Sequence, residues 1–381
     1  MGKKLLIISD SFSLESGGIE NTSYLLAEYM RQYMDVFTFC PKGGIKPDIE
    51  GVQSYSGTVD FENPRTRLEY LREAYSIIKT IHKKNHIDYI LCTHFYYGFP
   101  AWILKKRFGI PYGVMTHGNE VYEKWKKHNT FYATLRWVIL EYVKRQLLLN
   151  DATHIYSNTY FTQNLVKKIS RNKSLVVINP PFGYISSEGG IVPSENKYIF
   201  SLGRLVERKG FQNVIKALPK VIESYPNLIY VLAGDGEYKE TLTKLARELK
   251  VENHVIFKGR ISENEKIGLF QNCEVFVMPS YNIPEQRSVE GFGISLIEAN
   301  SYGKFVISTF SGGIPEAVDN NKSGFLVKEN DVEELILAIL RFFDPHFNYD
   351  TDYCKQWAQK RHISEIAKQY YEAISKSLKI K

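Results

Sequence analysis

From residue 198 to residue 307, short apolar runs alternate with longer stretches whose apolar residues recur every three or four positions. The runs fall at 198–201, 228–233, 255–257, 275–278 and 305–307 and are apolar almost throughout. A strand with one face in water alternates polar and apolar residues, whereas an unbroken run predicts burial on both faces, as in a parallel sheet. The stretches between them, at 211–224, 237–249, 262–272 and 294–302, open on glycine or polar residues and read as amphipathic helices. Regular alternation of strand and helix predicts an α/β fold built on a doubly wound parallel sheet. The first half repeats the pattern less cleanly, with strands expected at 5–9, 36–39, 89–93, 112–115, 154–157 and 176–178. Pro180-Pro181-Phe182-Gly183 and the Ser-, Glu- and Gly-rich stretch 186–196 interrupt both kinds of element and mark a boundary. The expected organisation is therefore a domain over 1–185, a second over 186–350, and a helical tail over 351–381 that includes Trp357, Ile366, Tyr370 and Ile374. Open parallel sheets bind ligands at the carboxyl ends of their strands, so two Rossmann-like sheets facing each other predict a ligand cleft between domains.

Composition agrees with two cores: the chain has 381 residues, of which 44% are apolar. Cys40, Cys92, Cys273 and Cys354 are scattered, with no Cys-x-x-Cys pair and no nearby His cluster, which argues against a zinc site or a disulfide framework and fits a reducing cytoplasm. The apolar run Leu5-Leu6-Ile7-Ile8 behind Lys3-Lys4 is too short for a signal peptide and reads as a strand. No stretch approaches the roughly 18 apolar residues of a membrane span, so a soluble or peripheral protein is expected. The net charge of +7 is uneven: residues 1–190 carry 24 Lys and Arg against 17 Asp and Glu, and the remainder carries 25 of each. An excess of that size suits anionic lipid, a phosphorylated acceptor, nucleic acid, or simply a solvated basic surface.

Three loops carry candidate chemistry. Strand 5–9 leads to Gly17-Gly18 just before a helix expected near Asn21, where backbone amides without Cβ shielding can approach an anion. The Gly-x-Gly-x-x-Gly fingerprint and its following acid are missing there, which counts against NAD. Strand 198–201 leads to Gly203-Arg204-Leu205-Val206-Glu207-Arg208-Lys209-Gly210, in which Arg204 and Lys209 can neutralise a diphosphate. After a long loop from Pro279 comes Glu290-Gly291-Phe292-Gly293-Ile294-Ser295-Leu296-Ile297-Glu298, with a helix beginning near Gly293. Its first carboxylate is expected to project from the loop, and its second to lie one turn inside the helix, able to accept ribose hydroxyls. The amides of Gly293 to Leu296 are expected to face phosphates.

The segment 290–298 resembles the Glu-x7-Glu hallmark of the retaining glycosyltransferases of family 4, which adopt the GT-B architecture. The resemblance extends to 203–210, to Ala-Gly-Asp-Gly at 233–236, Gly-Arg-Ile at 259–261 and Ser-Gly-Gly-Ile-Pro-Glu at 311–316, and in the first half to Gly17-Gly18 and Thr116-His117-Gly118-Asn119-Glu120. It implies that Arg204 and Lys209 bind the donor diphosphate, Glu298 the ribose, Glu290 the transferred sugar, and Arg260 and Ile261 the base. Gly17, Gly18, Gly203, Phe292, Gly293, Ile294 and Ser295 complete the implied donor site, and His117 is implied to touch the donor sugar near the reacting carbon. It also implies front-side attack with retention, assisted by the leaving phosphate. Glu290 is then left to positioning and charge stabilisation, and no general base is assigned. Neither cofactor nor metal is expected. In such enzymes the tail helix crosses back to the first domain, and the domains open and close about the 180–196 segment.

Similarity to bacterial phosphatidylinositol mannosyltransferases, carried by Thr-His-Gly-x-Glu, Val-Glu-Gly-Phe-Gly and a long loop bearing Arg287, leans the donor towards GDP-mannose, with UDP-sugars open. The acceptor is expected to be a phospholipid, a lipid-linked glycan or a growing polysaccharide, with no nucleic acid partner. Segment 122–149 mixes Tyr122, Trp125, Phe131, Tyr132 and Trp137 with Lys124, Lys126, Lys127, Arg136, Lys144 and Arg145. This suits an anionic membrane surface, on the cytoplasmic face, or equally a partly buried helix with a basic outer side. Two rivals remain: a non-hydrolysing UDP-sugar 2-epimerase, whose acid and base carboxylates cannot be located, and a silent sugar-nucleotide-binding subunit, against which Glu290, Lys209 and His117 argue.

Overall fold

A computed structural model describes residues 2–14, 17–59, 67–121, 146–183, 197–286 and 288–379. The membrane-facing expectation for 122–145, the 184–196 stretch of the expected linker and Arg287 lie outside the described residues. The chain forms two compact units, residues 1–181 with 363–381, and residues 182–362. Residues 351–362, expected with the tail, instead belong to the second unit, where the helix Thr351–Gln359 buries Cys354 and Ala358 in that unit's core. The first boundary falls at 181/182, four residues before the expected 185.

In the first unit the strands β1 (Lys4–Ile8), β2 (Asp35–Cys40), β3 (Gln53–Ser56), β4 (Tyr89–Cys92), β5 (Tyr112–Thr116), β6 (His154–Ser157) and β7 (Leu175–Val177) form a parallel sheet ordered β3-β2-β1-β4-β5-β6-β7. The pleat sends alternate residues to opposite faces. Leu6 and Ile8 enter one core with the helices Arg67–Asn85 and Gly98–Phe108; Leu5 and Ile7 enter another with Leu25, Leu26 and Met30 of the helix Gly18–Met30. Burial on both sides is why β1 reads as an unbroken apolar run. The second core also takes Ile363, Ile366, Ala367, Tyr370 and Ile374, one apolar stripe of the helix Ile363–Lys379. Tyr371 stacks on Tyr33 at 4.8 Å beside that stripe.

The second unit repeats the design with β8 (Tyr198–Leu202), β9 (Ile229–Ala233), β10 (Val255–Gly259), β11 (Val275–Val277), β12 (Phe305–Thr309) and β13 (Gly324–Val327), all parallel, in the order β10-β9-β8-β11-β12-β13. Two strands were absent from the sequence reading. β3 (Gln-Ser-Tyr-Ser) is a half-exposed edge without an apolar run, and β13 is a four-residue edge opening on glycine. In both sheets the strand order reverses between the first strand and the fourth, β1/β4 and β8/β11, which is where open α/β sheets bind ligands.

Candidate functional site

At the carboxyl end of β8 the chain runs through Gly203 and Arg204 into a single 3-10 turn, Glu207–Lys209, and then the helix Phe211–Ser224. Gly210, between turn and helix, has φ +74°, and a Cβ there would lie 1.9 Å from the Pro279 carbonyl oxygen. Only glycine lets the loop after β8 press against the loop after β11 so closely. A similar close approach ties the loop after β12 to the same place: a Cβ on Gly312 would lie 2.3 Å from the Glu290 carbonyl oxygen, which accepts the Gly313 N–H at 2.9 Å.

These contacts bring together side chains far apart in sequence. Glu290 Oε2 accepts from Lys209 Nζ at 2.7 Å, from Arg208 Nη1 at 2.6 Å and from Ser280 Oγ at 3.4 Å. The carboxylate is buried, with only 8% of the residue exposed. Burial pushes its pKa up, but the charges of Lys209 and Arg208 and their hydrogen bonds outweigh that and lower it from 4.5 to about 2. Glu290 is therefore a fixed anion, and the turn beside it presents two cations. Met278, the residue after β11, takes its place in the same group, with its sulfur 3.8 Å from Lys209 Nζ and 3.3 Å from Ser295 Oγ.

Arg204 does not join this cluster: it is an exposed side chain paired with Glu237 at 3.3 Å. Arg208, which the sequence reading passed over, stands beside Lys209 instead. Glu298, in the helix Ile294–Ser301, accepts from Lys266 at 2.9 Å, and Lys266 also meets Glu263 at 2.7 Å. Burial disfavours the Lys266 charge, but the two carboxylates overcome it and raise the ammonium above its ordinary value. Of the four residues expected to converge on one pyrophosphate, Lys209 and Glu290 bond to each other, whereas Arg204 and Glu298 pair with Glu237 and Lys266. Arg260 is exposed, 3.9 Å from Asp235, and Ile261 packs at the rim of the core. The Phe292 side chain is a core residue. Gly293 caps the helix in the left-handed region at φ +91° without a side-chain cap, but the Leu296 N–H, expected to be open, is already bonded to the Gly293 carbonyl at 3.0 Å.

In the first unit the helix after β1 starts at Gly18, three residues earlier than expected, with Gly17 extended before it. A Cβ on Gly17 would lie 2.5 Å from the Glu20 carboxylate, which occupies the first turn. His117 follows β5. Its Nε2 lies 2.6 Å from the Thr93 carbonyl, which can only accept, so Nε2 bears a proton and donates to it. The His117 N–H donates to Glu120, and Asn158 Nδ2 donates to the His117 carbonyl at 3.1 Å. Thr93 donates in turn to Ile8, which ties this group to the β1/β4 crossover. Among the described residues no group of three or more His, Cys, Asp and Glu side chains is placed to hold a metal ion.

Residues 16–182 match the family described as Glycosyltransferase Family 4, and residues 187–361 match Glycosyl transferases group 1. The chain belongs to the family 4 glycosyltransferases. Among relatives of this chain is a GDP-mannose-dependent alpha-(1-6)-phosphatidylinositol monomannoside mannosyltransferase of Mycobacterium tuberculosis, 37% identical over 145 residues, or 38% of either chain. The chain thus spans well under half the length of that relative. HepE of Anabaena, solved with UDP and glucose, superposes with a TM-score of 0.70 at 20% identity, covering 98% of this chain and 99% of HepE. The lipopolysaccharide outer core galactosyltransferase WaaB does so with a TM-score of 0.71 at 16% identity, covering 98% and 99%. These likenesses give the fold, two Rossmann-like parallel-sheet domains of the GT-B class.

Proposed function

We propose that this glycosyltransferase moves a hexosyl group from a nucleoside diphosphate sugar to a phospholipid, lipid-linked glycan or polysaccharide acceptor, with retention and without a metal ion. The observation that carries the reading is the pairing of Arg208 and Lys209 with buried Glu290 at the β8/β11 crossover. Two cations on one short turn suit the charge that gathers on a departing diphosphate. The bond between the anomeric carbon and the diphosphate oxygen breaks, its electron pair staying on phosphate. The acceptor oxygen bonds to the same face, and its proton passes to the leaving phosphate. Glu290, held as an anion, is a poor proton acceptor and is assigned to orienting a sugar hydroxyl. His117 is assigned to a second hydroxyl through Nδ1. Arg204 and Glu298 are assigned to the diphosphate and the ribose, each after leaving its present partner.

The mycobacterial relative is named for GDP-mannose and phosphatidylinositol, HepE was solved with UDP and glucose, and WaaB is named for lipopolysaccharide. GDP-mannose is the donor we rank first, with UDP-sugars next. The basic excess of the first half is assigned to an anionic membrane surface carrying the acceptor. Incubation with labelled GDP- and UDP-sugars and extracted membrane lipids, with and without chelator, tests the reading. Label in lipid or glycan, α-linked from an α-linked donor and unaffected by chelator, supports it. An epimerised nucleotide sugar, or no reaction with any donor, overturns it.

A further inference from the structure

Glu207 opens the turn that carries Arg208 and Lys209, so a charge of the wrong sign for a diphosphate starts beside both cations. Its carboxylate is tied elsewhere. The Tyr281 hydroxyl donates to Glu207 Oε1 at 3.3 Å, and Gln286 Nε2 donates to Oε2 at 3.3 Å. Gln212 Nε2 donates both to the Tyr281 oxygen at 3.0 Å and to the Glu207 main-chain oxygen at 3.0 Å. The Tyr281 N–H completes the arrangement, donating to the Arg208 carbonyl at 2.9 Å. Tyr281 and Gln212 are buried, and burial and the Glu207 charge raise the phenol to about 12, so it remains a donor throughout the physiological range. A carboxylate released from these donors on a turn with two cations would pair with them, because opposite charges a few ångströms apart attract.

We propose that Tyr281 is a positioning residue for donor binding: it holds the Glu207 carboxylate away from Arg208 and Lys209 and so leaves both cations to Glu290 and an incoming nucleoside diphosphate. This role presupposes the diphosphate-binding reading of the turn. Nothing in the motif pattern singles out Tyr281, which lies 74 residues from Glu207 and is joined to it only by the fold.

Calorimetric titration of UDP and GDP into the full chain tests it. Wild type binds at least one of them and Lys209→Ala loses that binding; if wild type binds neither, the donor reading and this role fall together. Tyr281→Phe keeps the ring, removes only the hydroxyl, and weakens binding about tenfold. Adding Glu207→Gln, which removes the charge and keeps the shape, returns the affinity to within about threefold of wild type. Gln286→Ala, which frees the other oxygen from a more exposed donor, gives a smaller loss that Glu207→Gln also repairs. Rescue by removing a charge is a response that a merely structural hydroxyl does not produce. With Lys209→Ala confirming the nucleotide site, two results overturn the role: wild-type affinity in both Tyr281→Phe and Gln286→Ala, or losses that Glu207→Gln leaves unrepaired.

Discussion

The two units share one strand order around the reversal and differ in what they gather there. At the ends of β8 and β11 the second unit collects Arg208, Lys209 and Glu290, an ion cluster closed off by glycine-mediated backbone contacts. Near the ends of β4 and β5 the first unit collects Thr93, His117, Glu120 and Asn158, joined through an imidazole and main-chain groups. Topology therefore fixes where a ligand sits, and the loops fix which ligand. Net charge misleads on the same point. The half with 25 cations against 25 anions holds the paired positive turn, whereas the excess of the half with 24 against 17 falls mainly in residues 101–150. The proposed diphosphate site rests on the local pairing of a few groups, not on the balance of a domain.

The largest effect that tests this contrast is on turnover. Lys209→Ala should lower kcat/KM about a thousandfold by removing stabilisation of the leaving diphosphate, and steady-state assays showing near-normal turnover would put the chemistry elsewhere. Glu290→Gln should cost about 3 kcal/mol in chemical denaturation, since it leaves two partly buried cations without their anion. The folded-state value of Glu290 lies below its ordinary one. Its contribution to stability is therefore complete above pH 4.5 and lost as pH falls towards about 2. The acid limb of the stability profile should flatten in Glu290→Gln, and an unchanged limb would show that the pair does not form in solution. Smallest is Ile374→Ala in the first unit, about 2 to 3 kcal/mol from the loss of a fully buried side chain. It should leave UDP or GDP binding intact, and a parallel loss of nucleotide affinity would show that the division of labour between units is wrong.

Much of the fold was legible because central strands buried on both faces write unbroken apolar runs, as at Val275–Val277 and Phe305–Thr309. Two of the four edges wrote no such signal: β3 is polar, and β13 opens on glycine. The site was legible in its parts and not in its pairing. Glycine-bracketed loops at strand ends pointed to Lys209 and Glu290, but their contact spans 81 positions and depends on how Gly210 and Gly312 let loops approach. Arg208 sat unnoticed because Arg204 fitted the motif. One signal was available: adjacent basic residues in a one-turn 3-10 segment can reach the same partner.

The helix Ile363–Lys379 fills the core of a unit whose other residues end at Pro181. During synthesis the first sheet must therefore wait, with Leu5, Leu25 and Met30 uncovered on one side, until the whole second unit has emerged. Domains commonly fold in the order in which they leave the ribosome. Here the later-made unit can finish first, and the earlier one carries an open apolar face that invites chaperones or aggregation until residues 363–379 have been made.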